Sequence, residues 1–273
     1  MKYSKNILLQ TQSIRDILEI KHKRRMISMT ILSIGNSFSE DAHAYLHQLA
    51  KQRNIDLETE DLAIGGCSLQ RHWENVEHNN SNYGHSINGG PWAEKDASID
   101  EIIKNEQFDV VTVQQVSHYS GQYETYQPYL DNLVEYIHKH QPNAELYFHS
   151  TWAYEIDSDH EFFSIYDRDQ KKMYDAVCQV SDIACKAINA KIIPSGKVIQ
   201  ALRERLPQFD YKNGGESLCR DGFHMSLTYG RYAVALTWLV ALTGIKAEPL
   251  PFMDLDINTI SQICDIVNEI VFD

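Results

Sequence analysis

Short apolar runs alternate with helical stretches along most of the chain, and this alternation restricts the fold more than any other feature. The runs are "TILSIG" (30–35), the end of "DLETEDLAIGG" (56–66), "DVVTVQQ" (109–115), "ELYFHS" (145–150) and "AKIIPSG" (190–196). Helical patterns occupy 40–54, 126–141, 169–188, 226–244 and 256–271. Strand–helix alternation predicts βαβ units, a mostly parallel sheet and helices on both faces. "VVTV" is apolar or β-branched at successive positions, as a strand buried on both faces requires. There is no internal repeat, low-complexity tract or interdomain linker. The expectation is an N-terminal extension over 1–29 followed by a single α/β domain over 30–273, long enough to bury a substantial core.

Charge narrows the partners. The formal net charge is −13, so the surface should repel nucleic acid and anionic lipid. No uncharged apolar stretch approaches the ~18 residues of a membrane span. Residues 1–29 are basic but lack a continuous apolar core and a small-residue cleavage site, so they read as a helix or a disordered extension rather than a secretory signal. A start at Met26 or Met29 is an alternative. The five cysteines are scattered, odd in number and without CxxC. Reduced thiols and a cytoplasmic location are the simplest expectation.

Three connections look irregular: 71–97, 151–168 and 207–223. The first two leave strand carboxyl ends, where open parallel sheets bind ligands, and are rich in Trp, Tyr, Phe, Asn and His. Trp73, Trp92, Trp152 and Tyr154 there, with His118 just past the third run, are candidates for stacking on a sugar ring. The alternative is that these aromatics simply cover the sheet edge.

Four places could carry chemistry. The first strand stops at "GNS", and Ser37 would sit at a strand end just before a helix. A serine hydroxyl needs an adjacent base to be a nucleophile, and a helix N-terminus favours developing negative charge. By itself Ser37 is equally a turn or capping serine. In "RDGFHMS" (220–226) one irregular turn could present Asp221 and His224 to one cavity, His224 as the base and Asp221 fixing its tautomer. Gly65 and Gly66 follow the second run and allow close backbone approach. Gln114 and Gln115 end the third, where a buried amide needs a partner. His43 and His47 lie at i, i+4 with Asp41 nearby, but there is no HExxH, and no metal site is expected. No GxGxxG or Walker loop follows the first strand, which disfavours a nucleotide or flavin binder.

Taken in order, these places resemble the SGNH (GDSL-like) hydrolases, in particular a bacterial branch whose first block reads Gly-Asn-Ser-Phe-Ser. The resemblance spans roughly 30–245. It implies a three-layer α/β/α sandwich with a mostly parallel, five-stranded flavodoxin-like sheet and no cofactor. It also implies hydrolysis of small acyl esters, often acetyl groups on carbohydrate. It makes Ser37 the nucleophile and Asp221 and His224 its acid and base. The oxyanion donors it implies are Ser37, Gly66 and an amide. The third block departs from the family's Gly-x-Asn-Asp: "QQVS" looks like a Gln-Gly-Glu-Ser variant, which implies Gln114 as the amide and Gln115 as second choice. A non-catalytic carbohydrate-binding or scaffold protein on the same fold is the competing expectation.

Overall fold

A computed structural model describes residues 28–273; the sequence-based extension, up to residue 27, lies outside the described residues. Its centre is a seven-stranded sheet in the order β4-β3-β2-β1-β5-β6-β7. The strands are β1 (Ser28–Gly35), β2 (Asp56–Ala63), β3 (Tyr83–Ile87), β4 (Trp92–Ala97), β5 (Val110–Val113), β6 (Glu145–His149) and β7 (Lys191–Ile193). The five strands expected from sequence are all present, and they are parallel. The sheet is two strands wider because β3 and β4 add an antiparallel hairpin on the β2 edge. That hairpin lies in the 71–97 stretch read as irregular. Both its strands are polar, β4 (WAEKDA) is exposed along most of its length, and charged edge strands carry no apolar alternation to read.

Eight helices are described: α1 (Ser37–Gln52), α2 (Leu69–His78), α3 (Ile99–Asn105), α4 (Tyr129–His140), α5 (Gln170–Ala187), α6 (Ser195–Arg205), α7 (Tyr229–Thr243) and α8 (Ile257–Phe272). The sequence reading lacked α2, α3 and α6. The buried face of α2 is Leu69, His72 and Asn75, whose polar members bond the Tyr83 hydroxyl, so its apolar stripe is nearly invisible.

Consecutive strand residues feed opposite cores. Ile31, Leu57, Val110 and Tyr147 face a cluster with α1, α6, α7 and α8. Leu32, Leu62, Val111 and Phe148 face a second cluster with α3 and α4. Burial on both faces is why the central strands are apolar at successive positions. α7 is buried almost throughout and braces α1. No helix among the described residues is long and apolar enough to cross a membrane.

Candidate active site

The site lies at the carboxyl ends of β1, β2 and β5. β1 ends at Gly35, where an added Cβ would lie 2.2 Å from Ser39 Oγ, so the turn into α1 admits only glycine. Asn36 then caps α1. Its Oδ1 accepts from the Phe38 N–H at 3.0 Å and from Gln114 Nε2 at 2.7 Å, while its Nδ2 donates to the Cys67 carbonyl at 3.1 Å. One side chain therefore ties the ends of β1 and β5 and the β2–α2 turn together. Ser37 follows as the first helical residue, where a backbone N–H has no intrahelical acceptor.

Ser37 Oγ lies 2.8 Å from His224 Nε2, and His224 Nδ1 lies 2.7 Å from Asp221 Oδ2. The Asp221 carboxylate accepts, so Nδ1 carries the hydrogen and Nε2 is left to accept from the serine hydroxyl. Asp221 Oδ1 also accepts the backbone N–H groups of His224, at 2.8 Å, and Phe223, at 3.2 Å. Partial burial pushes the Asp221 carboxyl up. The hydrogen bonds from the His224 ring and backbone outweigh it, and the net position is below the usual carboxylate range.

Asp221 is 42% exposed, so its loop must be held from elsewhere. The anchor is Asp41, one turn beyond Ser37 on α1 and fully buried. Its Oδ1 accepts from Arg220 Nη1 at 2.9 Å and Arg231 Nε at 2.8 Å, and its Oδ2 accepts the Met225 N–H at 2.8 Å. Trp152 supplies a second hold: its ring stacks on Phe38 at 4.2 Å and its Nε1 donates to the Phe223 carbonyl at 2.7 Å. The helix that carries the serine and the loop that carries the histidine are thus bolted to each other. Sequence reasoning missed this role of Asp41, because its arginines lie 179 and 190 residues away.

The structure separates the two glutamines. Gln115 is spent internally: Oε1 accepts from the Leu69 and Val116 N–H groups, and Nε2 donates to Thr125. Gln114 lies behind Asn36, and its Oε1 accepts from His149 Nδ1 at 2.7 Å. His149 Nε2 in turn faces Ser195 Oγ at 3.0 Å. Burial, with the charge of His43 adding to it, pulls the His149 ring down to about 3, so it is neutral. Asn36 Oδ1 already accepts the Phe38 N–H, so the Gln114 atom facing it is the donor Nε2, and its second hydrogen has no partner among the described residues. His149 was passed over in the sequence because it reads as the end of an apolar strand. Gly66 sits at φ +65° in the turn closed by the Cys67 N–H to Ile64 carbonyl bond, with open space where a Cβ would stand. A positive φ at the third residue of such a turn favours glycine.

The aromatic candidates fall into two groups. Trp152 and Tyr154 are fully enclosed and support the site from behind; Tyr154 bonds Ser117 Oγ at 2.8 Å. Trp73 on α2, Trp92 on β4 and His118 reach solvent in part or in full. His118 stacks on Phe162 at 4.5 Å, and burial together with the nearby His160 charge pulls it down to about 4. His43 is buried against Ser33 Oγ at 2.7 Å, and His47 bonds the Leu57 carbonyl, so the two rings hold different partners. No cluster of three or more metal-ligating side chains occurs among the described residues.

A family model described as "Domain of unknown function (DUF4886)" matches residues 30–266. The chain belongs to that family. A crystal structure of a DUF4886 family protein from Bacteroides uniformis is 33% identical, with a TM-score of 0.83, covering 90% of this chain and 95% of that one. A protein from Slackia heliotrinireducens, described as "a putative SGNH hydrolase", is 20% identical with a TM-score of 0.52, over 78% of this chain and 97% of that one. A variant of an acetyl-xylooligosaccharide esterase from a Geobacillus species is 12% identical with a TM-score of 0.52, over 84% of this chain and all of that one. No curated protein matches. The fold is that of the SGNH hydrolases, a three-layer α/β/α arrangement around a mostly parallel sheet, with seven strands rather than five.

Proposed function

From the fold shared with the SGNH hydrolases and the geometry around Ser37, we propose that the protein is a serine esterase acting on small acyl esters, acetyl foremost, carried by carbohydrate. The observation that carries the reading is the unbroken relay of Ser37, His224 and Asp221, with 2.8 and 2.7 Å between successive polar atoms. Ser37 Oγ attacks the ester carbonyl while its proton passes to His224 Nε2. Asp221 holds the Nδ1 hydrogen and stabilises the imidazolium that forms. The oxyanion is met by the N–H groups of Ser37 and Gly66 and by the free Nε2 hydrogen of Gln114, at the positive end of α1. His224 then protonates the leaving alcohol and activates water against the acyl-serine. The carbohydrate part draws on the exposed aromatics around the site and on the activity named for the Geobacillus neighbour.

Initial rates on p-nitrophenyl acetate and a panel of acetylated sugars, for wild type and Ser37→Ala side by side, test this. The expected loss is on the order of 10⁴–10⁶-fold in kcat with an unchanged circular dichroism spectrum. Equal rates for the two proteins on every ester in the panel would leave the non-catalytic carbohydrate-binding reading instead.

A further inference from the structure

A cavity of about 390 Å³ opens beside α1, between that helix, the start of α7 and the β3–β4 hairpin. Its size falls in the range of small-molecule sites, ~300–1,000 Å³. Glu40 lines it, and residues three apart on a helix face are neighbours, with Cβ atoms ~5–6 Å apart. The cavity therefore begins one helical turn from Ser37.

The hairpin docks against α1 through its turn. Gly89, at φ +69°, sits where an added Cβ would lie 2.4 Å from the His43 carbonyl oxygen. Trp92 then lies flat on Gly84, whose absent Cβ would be 2.4 Å from the indole ring. With one face of the ring seated on backbone, Trp92 remains 44% exposed. Its Nε1 donates to Glu40 Oε1 at 3.0 Å, which fixes its orientation. Arg231 lines the opposite side; its Nε is held by Asp41, and its two Nη groups have no partner among the described residues. The wall thus combines a flat apolar platform, a carboxylate and a fork of free N–H donors.

We infer that this cavity is the leaving-group subsite, and that it takes an uncharged glycosyl unit in preference to an acidic one. The inference rests on the esterase reading for the word "leaving-group" and adds to it a place and a charge preference. An aromatic face packs on the C–H face of a pyranose ring, and Glu40 and Arg231 offer an acceptor and donors for its hydroxyls. The formal charges of Glu40, Asp41, Arg220 and Arg231 cancel within this network. An anionic sugar would gain no net attraction there and would face Glu40 directly. The hairpin that builds the cavity is the two-strand addition to the expected five-stranded sheet, so the subsite lies outside the part of the fold predicted from sequence.

Binding separates this from catalysis. In Ser37→Ala, saturation-transfer NMR and tryptophan fluorescence are recorded with methyl glucopyranoside, methyl xylopyranoside and methyl glucuronide. The neutral glycosides are expected to bind at least ~10-fold more tightly than the uronide. Adding Trp92→Ala should weaken the neutral glycosides ~10-fold, while Glu40→Gln, which keeps an acceptor for the indole N–H, should narrow the neutral-to-uronide ratio. In the Ser37-bearing protein, Trp92→Ala should lower the ratio of kcat/KM for an acetylated sugar over p-nitrophenyl acetate by a similar factor. Equal binding of neutral and acidic sugars, or a ratio unmoved by Trp92→Ala, overturns the subsite. Hydrolysis that survives Ser37→Ala overturns the esterase reading alone and leaves the binding result to stand or fall separately.

Discussion

Two regions flank α1, the helix that carries Ser37, and are held to it in opposite ways. On one side the 220–225 loop is fastened by charge: buried Asp41 gathers two guanidiniums and a backbone N–H, and Trp152 pins the Phe223 carbonyl. On the other side the β3–β4 hairpin is fastened by backbone contact at Gly89 and by one exposed indole–carboxylate bond. The difference tracks what each side has to do in the proposed reaction. A proton relay loses rate when its atoms move apart by an ångström, so the loop that carries His224 is fixed by bonds that are costly to break. A subsite for a sugar has to admit and release it, and an open wall with few anchors suits that.

The comparison can be broken most sharply at the relay. His224→Ala should reduce kcat by about 10⁴–10⁶-fold, the same loss as Ser37→Ala, and the double variant should lose no more than either alone; steady-state rates on p-nitrophenyl acetate check this. Asp41→Ala is next. It should destabilise the protein by about 3 kcal/mol, the low end for breaking a buried ion pair because both arginines keep some contact with water, measured by urea denaturation. A comparable truncation on the hairpin side, Trp92→Ala, should cost clearly less stability. If the two costs are equal, the contrast between the flanks fails.

Gln114→Ala should cost about 2.7–4 kcal/mol in barrier height, read from kcat, the usual loss of one oxyanion donor. Because the amide also donates to Asn36 and accepts from His149, the urea midpoint of Gln114→Ala is measured alongside, and a kcat loss at an unchanged midpoint assigns the effect to the donor.

The smallest effect concerns a buried carboxyl on the hairpin side. Asp61 pairs in register with Ser33 of β1 and Ser86 of β3 and is fully buried, yet neither carboxyl oxygen has a partner among the described residues. Burial pushes it well above the usual carboxylate range; the neighbouring Ser39 hydroxyl opposes this, and the Glu40 charge adds to it. Ser39 commits its own hydrogen to the Asn36 carbonyl at 2.8 Å, so its relief is small. A raised folded pKa means that stability is fully present below the unfolded value near ~4 and is lost as pH rises towards the folded one. Asp61→Asn should therefore match wild type in denaturation midpoint near pH 4 and exceed it at pH 7, by about 1–3 kcal/mol. Identical pH profiles for the two proteins would contradict it.

The two flanks also differ in how far they could be read from sequence. The five parallel strands and Ser37, Asp221 and His224 stood out because each apolar run stops abruptly at polar or glycine residues, and such breaks mark strand ends. The hairpin did not stand out. Its strands are short, polar and at an edge, so they stabilise the sheet by backbone bonds that leave no hydrophobic period. The sequence ranked Gln114 ahead of Gln115 only by resemblance, since both follow the end of β5 at Val113, where no strand alternation tells them apart; the positions of Leu69, Thr125, Asn36 and His149 separate them. Trp152 and Tyr154 look like ligand-facing aromatics in a loop composition, but they are fully buried, because the 151–155 segment runs inward beneath the 220–225 loop. Asp41 drew notice only as a neighbour of two histidines. Its real partners come from the far end of the chain, a distance no local pattern spans.

The most direct measurement is mass spectrometry of the protein after brief exposure to an alkyl fluorophosphonate, which phosphonylates only an activated serine. A single adduct on the peptide containing Ser37 is expected, absent in Ser37→Ala and formed at least ~100-fold more slowly in His224→Ala, since the hydroxyl is a weak nucleophile without its base. No adduct at Ser37, or labelling at equal rates with and without His224, would contradict the proposal that the relay activates this serine.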